Sequence, residues 1–373
     1  MSNVLGIENF RPSVELNSIQ PEHKYTEKSP IVEIFSAMVK GEDTGRFGEK
    51  ANKANAFIKK LGADALAGDG RAKVELNTIV AQYINAPLLK RLNLFDFMGE
   101  TQTVGYADRL LFKIYKLQGK MSNFAANQGD VPFAKSTWNY RELSTKTISG
   151  GMSVNYREIA TNNLDGTGVM AEQTITDMTN KMFYDVINSL YGGVKNSTGV
   201  KHFIEAAGIT KASVQDMITK VRRWGKLGIL GDYSVISQLN LMTGFNTDTA
   251  GVLAKQFSPA VLDEIMKTGL LTTFMGTPIV ELPNAYQLTK LNSAGDNYSL
   301  YLPEGLMFFL VAGEMSPLKI GMRGGITSAT GFDVISGENM TRFDMEFGSK
   351  FIEEYGAMMG LISDSNFPIP TGL

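Results

Sequence analysis

SLYLPEGLMFFLVAGEMSPLKIGMRGGITSATGFDVISGENMTRFDMEFGSKFIEEYGAMMGLIS, residues 299–363, reads as a succession of strands that carries almost no catalytic chemistry. FDMEF at 343–347 alternates apolar and acidic side chains, the period of a strand with one buried face. Gly324-Gly325 and Gly337 mark turns, and FIEEYGAMMGLI is expected to continue the strand toward the C-terminus. GMRGG at 321–325 is glycine-rich, but nothing around it makes the strand-to-helix turn of a phosphate loop. Glu353 and Glu354 are adjacent, so on a strand they point to opposite faces and suit solvent or salt bridges better than acid–base catalysis.

Working back from this stretch, residues 211–313 alternate helices and short strands and form an expected α/β module with its own core. Ser213 with Asp216 approximates a capping box for a helix that turns Val214, Met217, Ile218, Val221 and Trp224 inward and stops at Gly225. Asp232 is placed to cap a helix over 233–243, and Ser258-Pro259 to open another over 259–268. Upstream, Ala171, Ile175, Met178, Met182, Val186 and Leu190 recur at three and four, flanked by Phe183 and Ile187. That spacing predicts a long amphipathic helix over 167–191, with Thr167 as N-cap and Gly192-Gly193 as its end. His202, in GVKHFIEAAGI, has no evident partner for a ligand or base role.

Residues 101–160 are rich in Thr, Tyr, Phe, Trp and Ile, with Gly129, Asp130 and Pro132 as turn chemistry, and predict a long β-hairpin. It holds eight Lys/Arg against four Asp/Glu. Phe112 and Ile114 share one face, Lys113 and Tyr115 the other, so neither face is expected to be a core of its own. Two strands alone are marginal in water, so the hairpin needs a support, and another subunit is the simplest one. Residues 72–98 are apolar-periodic, with Pro87 expected to bend or end a helix. Helices are also expected from Pro30 to Gly41 and over about 46–62, the latter with Lys50, Lys53, Lys59 and Lys60 on a solvated face. Residues 1–29, broken by Pro12 and Pro21, read as an extended arm.

Composition narrows the function. The chain has 373 residues, enough for more than one core, with 43% hydrophobic and 20% charged residues. A net charge of −2 argues against a strongly basic nucleic-acid binder, though a local basic surface is compatible with it. The absence of cysteine excludes disulfides, thiolate nucleophiles and cysteine-ligated metals. Two histidines, His23 and His202, exclude a multi-histidine metal site. No GxxxxGK[ST], GxSxG, HExxH or EF-hand motif occurs, the N-terminus does not read as a signal peptide, and no window suits a membrane span.

Arm, long hairpin, long helix, mixed α/β module and return strands occur in the order that resembles the HK97-like major capsid proteins of tailed bacteriophages. The resemblance is carried by the hairpin 101–150, the helix 167–191, LYLPEG at 300–305 and SPLKIGM…MTRFDMEFGSKFIEEYGAMMGLI. It implies an α+β, HK97-like fold: an N-terminal arm (1–29), a helical segment (30–100), an E-loop hairpin (101–160), a P-domain spine helix and linker (161–210), an A-domain (211–313) and P-domain return strands (314–373). It further implies a non-enzymatic subunit of an icosahedral shell, self-assembling into hexamers and pentamers around double-stranded DNA. Partners would be copies of itself, scaffolding and portal proteins, and packaged DNA by weak non-specific contact, with no membrane, cofactor or metal. The place would be the virion capsid, assembled in the host cytoplasm. Tyr115, Phe124, Trp138 and Tyr140 are the candidate apolar anchors of the hairpin on a neighbour, and Lys113, Lys116, Arg141 and Lys146 its rim charges. A lysine–asparagine cross-link of the kind some relatives make would fall to Lys120 and Asn339, but no local motif supports carrying it over. Two other readings are an encapsulin-type compartment, and an α+β enzyme or nucleic-acid-binding module.

Overall fold

A computed structural model describes residues 25–367 apart from 27, 119–134, 155, 162–163, 243–269, 293–294, 312, 314 and 334–337. The expected arm over 1–29 and helix over 259–268 fall largely or wholly outside these residues. The helices and strands in chain order begin with α1 (Pro30–Val39), α2 (Glu49–Leu66), α3 (Gly70–Met98), β1 (Glu100–Val104), β2 (Leu111–Gln118), β3 (Lys135–Glu142) and β4 (Lys146–Val154). Next come α4 (Tyr156–Thr161), α5 (Asp165–Asn196), β5 (His202–Ala206), α6 (Lys211–Val221), β6 (Leu227–Gly231) and α7 (Tyr233–Ile236). The rest are strands: β7 (Thr273–Phe274), β8 (Thr277–Glu281), β9 (Tyr286–Leu291), β10 (Tyr298–Leu300), β11 (Leu306–Val311), β12 (Leu318–Asp333), β13 (Glu338–Phe351) and β14 (Met359–Asp364). The architecture is α+β.

The chain divides into two compact units. The first draws on Met1–Asn93, Lys146–Met182 and Gly324–Phe347. In it α1 buries Val32, Ile34, Phe35 and Ala37, and the Phe35 ring meets Tyr83 of α3 edge-on at 5.8 Å. Gly62 lets α2 approach α4 so closely that a Cβ there would stand 2.8 Å from the Ala160 nitrogen. Asn77 donates to the buried Tyr156 hydroxyl at 3.0 Å, and burial pushes that phenol up to about 12. β4 and β13 pair antiparallel from Lys146 opposite Phe347 to Val154 opposite Asn339. As the alternation in FDMEF predicts, Phe343, Met345 and Phe347 are buried while Asp344 and Glu346 are only partly so. Gly150 of β4 lies against Thr174 and Met178 of α5, which leaves no room for a side chain.

The second unit draws on Leu94–Thr145, Phe183–Arg323 and Gly348–Leu373. Its centre is a six-stranded mixed sheet in the order β5-β14-β11-β6-β8-β7. Ile229, Met307, Phe309 and Ile362 point to one face and form a core with Val214, Met217, Ile218 and Val221 of α6. Gly228, Leu230, Phe308 and Leu361 alternate onto the other face, where the Phe97 ring occupies the space above Gly228. In the same unit β1 pairs parallel with the start of β12, from Glu100 opposite Lys319 to Val104 opposite Arg323.

Several sequence expectations need correction. β14 does not extend β13: a 3₁₀ turn at Glu353–Met358 breaks the strand, and β14 joins β11 and β5. The 314–373 stretch therefore supplies a central strand to the sheet built from the 211–313 module. α3 continues through position 87 rather than ending there. α6 is capped by Thr210, whose side chain exchanges hydrogen bonds with Ser213, not by Ser213 with Asp216. Trp224 points outward, 52% exposed, because a 3₁₀ turn at Arg222–Trp224 rotates it off the apolar stripe. Asp232 does cap α7, accepting from the Ser234 amide at 2.9 Å, but α7 gives way to a 3₁₀ turn at Ser237–Leu241.

α5 buries every apolar position that the spacing singled out, from Ala171 to Leu190. It spans 32 residues and runs past Gly192-Gly193 instead of stopping there. The reason is packing: a Cβ on Gly193 would overlap Phe351, while one on Gly192 would meet nothing within 4 Å. The two neighbouring glycines should therefore respond with opposite sign. Gly193→Ala should destabilise the subunit by about 1–3 kcal/mol through overpacking, and Gly192→Ala should stabilise it by about 0.5–1 kcal/mol through helix propensity. Chemical denaturation of the unassembled subunit checks both; a loss at 192 or a gain at 193 would contradict the packing described.

Candidate assembly surface

The hairpin predicted over 101–160 is narrower than expected. Its two strands are β2 and β3, paired antiparallel with Phe112 opposite Arg141, Lys113 opposite Tyr140 and Tyr115 opposite Trp138. β1 and β4, at its flanks, belong to the sheet β1-β12-β13-β4. Lys146 thus sits exposed on β4, outside the ribbon, and Phe124 and Lys120 lie outside the described residues.

The ribbon's two faces differ more than the sequence suggested. Phe112 and Ile114 are 3% and 1% exposed, packed with Leu110, Leu143, Ile352, Tyr355 and Met358. The base of the hairpin therefore rests on its own chain, which corrects the expectation that neither face joins a core. The opposite face carries the candidate anchors. Lys113 Nζ lies 4.7 Å from the Trp138 ring centre and 5.0 Å from that of Tyr115. Trp138 and Tyr140 pack edge-to-face at 5.2 Å, and remain 50% and 56% exposed. Lys113, Tyr115, Trp138 and Tyr140 are thus brought together as one patch.

Two consecutive residues of the 3₁₀ turn grip the two strands. The Tyr355 hydroxyl accepts from the Tyr115 amide at 2.6 Å and donates to the Tyr115 carbonyl at 3.0 Å, filling the outer edge of β2. Glu354 pairs with Arg141 of β3 at 2.9 Å. That hydrogen bond, helped by the Glu354 amide and the charges of Arg141 and Lys116, holds the Glu354 carboxyl below its ordinary value. Beneath them Lys319, 1% exposed, pairs with Glu100, and its ammonium faces the rings of Tyr355 at 5.5 Å and Phe112 at 6.0 Å. Sequence inspection missed Tyr355 because its partner lies 240 residues away.

A second surface, in the first unit, was also missed. The start of α5 and the β4/β13 sheet border an open cleft of about 760 Å³, lined by Met152, Val169, Met170, Met340 and Arg342 among others. Val169, Met170 and Met340 are 71%, 46% and 42% exposed. Among the described residues no three His, Cys, Asp or Glu side chains gather as a metal site. Burial, then the charge of Lys220, lowers the His202 pKa against the pull of Asp216 and a backbone hydrogen bond, which favours the neutral ring. Among the described residues no helix is long and apolar enough to cross a membrane.

Residues 15–363 match the family described as "SPbeta prophage-derived putative capsid protein YonB". The chain belongs to this family. It is a structural capsid subunit, and a virion capsid is its place. Among solved structures it is similar to the mature capsid of bacteriophage PhiM1, at 12% identity over 72% of this chain and 86% of that one, with a TM-score of 0.45. Mycobacterium phage Patience gives 12% identity, 78% and 88% coverage and a TM-score of 0.44. The SrpI encapsulin of Synechococcus elongatus gives 11% identity, 73% and 86% coverage and a TM-score of 0.43. These likenesses are general ones, and the assignment rests on the family match. No curated protein matches the chain.

The grip on the capsid subunit's hairpin can be tested directly. Tyr355→Phe should remove about 1–2 kcal/mol of local stability, seen as roughly tenfold faster exchange of the Tyr115 amide. Arg141→Met should cost under about 0.5 kcal/mol, because both partners are a third or more exposed. That small share is present above the usual carboxylate range and fades as pH falls through the depressed Glu354 value. Unchanged exchange in Tyr355→Phe would show that the hydroxyl does not hold the strand.

Proposed function

We propose that this capsid protein is an HK97-like shell subunit whose β2–β3 hairpin lies on a neighbouring copy. The observation that carries the reading is the division of the ribbon's two faces. One is anchored on the chain's own Ile352–Met358 segment, with Arg141 held there by Glu354 and Lys116 on the same side, and the other offers Lys113, Tyr115, Trp138 and Tyr140. A half-exposed Trp–Tyr pair held rigid from behind is the composition of an interface anchor rather than of a free surface. The cleft bordered by Val169, Met170 and Met340 is the receiving surface we favour on the neighbour, since aromatic rings and exposed aliphatic side chains both gain by mutual burial.

On this reading the sheet of β4, β12 and β13 with α5 serves as the P-domain, and the six-stranded module as the A-domain. Copies meet in heterologous contacts that close into hexamers, pentamers and an icosahedral shell. Each interface would bury on the order of 1,000 Å² or more. The shell encloses double-stranded DNA through weak contacts, is built in the host cytoplasm with scaffolding and portal proteins, and runs no reaction.

Electron microscopy of the purified chain, expressed alone and with its scaffolding partner, tests this. Hollow shells or rings of five and six are the expected result, and material that stays monomeric or dimeric in both cases would overturn it. Trp138→Ala should leave a folded subunit and cut particle yield, since such anchors carry about 2 kcal/mol or more; wild-type yields would remove the hairpin from the interface.

A further inference from the structure

The chain has two tryptophans, and both are about half exposed: Trp138 at 50% and Trp224 at 52%. Tryptophan is highly buried on average, so a half-exposed one asks what covers it. Trp138 belongs to the hairpin. Trp224 lies in the second unit, in the run Arg222-Arg223-Trp224-Gly225-Lys226, where all five residues are exposed. The turn is held rigid from behind. Arg222 donates to the Met275 carbonyl at 3.2 Å, and Gly225 presses on Val311 so closely that a Cβ there would stand 2.8 Å from its side chain. The side chains of Arg223, Trp224 and Lys226 are left outward, with no side-chain hydrogen bond, ion pair or ring contact among the described residues. The two nearest carboxylates in sequence are already engaged: Asp216 pairs with Lys220 at 2.7 Å, and Asp232 accepts from the Ser234 amide at 2.9 Å and from Asn284 at 2.8 Å.

We infer that the Arg222–Lys226 turn is a second subunit–subunit contact, in which Trp224 is buried against an acidic-rimmed surface of another copy. The inference rests on the shell reading above but not on the hairpin. Tryptophan and arginine are the side chains most enriched where interface energy concentrates, and a turn fixed in advance loses little freedom on docking. Charge favours a copy of the chain as the partner. The net charge is −2 with the three cations of the turn included, so the rest of the chain taken together is net acidic, although the 101–160 stretch is not. That surplus attracts the turn of a neighbour and repels nucleic acid. With at most three cations, the turn has few phosphates to neutralise and little affinity to draw from them.

Hydroxyl-radical footprinting read by mass spectrometry follows both tryptophans separately in the wild-type protein, before and after assembly. Trp224 oxidation should fall severalfold in particles. Arg223→Glu and Trp224→Ala, both at exposed positions, should keep the wild-type melting temperature and raise the concentration needed for assembly about tenfold or more. Particles in which Trp138 is protected and Trp224 is not would overturn this inference and leave the shell reading standing. Absence of any particle, with scaffolding partner supplied, would overturn both. Protection of Trp224 by short duplex DNA, with none in empty particles, would assign the turn to nucleic acid and overturn the contact proposed.

Discussion

The hairpin depends on one tyrosine. A two-stranded ribbon has too little buried surface to hold itself in water, and its outer edges are open to any other strand. Tyr355 answers both problems at once. Its ring fills the core under Phe112 and Ile114, and its hydroxyl makes the pair of hydrogen bonds with Tyr115 that a neighbouring strand would otherwise make. Glu354, one residue earlier, reaches the other strand. A single 3₁₀ turn thereby fixes the direction in which the ribbon leaves the body. The buried Lys319 fits the same logic. An isolated ammonium there would be costly, but Glu100 stands opposite it in the β1–β12 register, and two aromatic rings lie within cation–π range.

What could be read from sequence was what repeats over short distances. The α5 stripe from Ala171 to Leu190 was legible because eight positions agree on a period of 3.6, and FDMEF because five agree on a period of two. Lys113 and Tyr115 could be put on one face of a strand for the same reason, but that Trp138 and Tyr140 join them there depends on the β2–β3 register, which the sequence does not fix. Contacts made at a distance were not. Gly192-Gly193 looks like a helix stop until Phe351 is seen to need the space. Phe112 and Ile114 look unsupported until the 3₁₀ turn at 353–358 arrives from the far end of the chain. The change of sheet at Ile352 was hidden because FIEEYGAMMGLI keeps the hydrophobicity of a strand on both sides of the break. Trp224 misled because it falls one turn beyond α6, where the helical period no longer applies.

The exposed aromatic side chains share a design that bears on solubility. Trp138 has Lys113 over its ring, and Trp224 sits between Arg223 and Lys226. Each of these two aromatic surfaces is bordered by charge, which opposes disordered aggregation of unassembled copies through it. The cleft at Val169, Met170 and Met340 is likewise edged by Arg342 and Asp177.

Contacts of this kind are weak one at a time, and in a closed assembly weakness is an advantage. A copy joined through one tight patch could not leave a wrong position before the next copy arrived. Several modest contacts let misplaced copies dissociate, because tightness comes only when all of them engage together and effective concentration multiplies their affinities. That requires the contacts to be held at fixed relative angles, since surfaces that wander cannot engage at once. Rigidity behind the patch therefore matters as much as the patch. In this chain it is provided twice by the same means. A 3₁₀ turn is used each time: Glu353–Met358 braces β2 and β3 from behind, so that their aromatic and basic side chains face out, and Arg222–Trp224, tied to the Met275 carbonyl, itself presents Arg223 and Trp224.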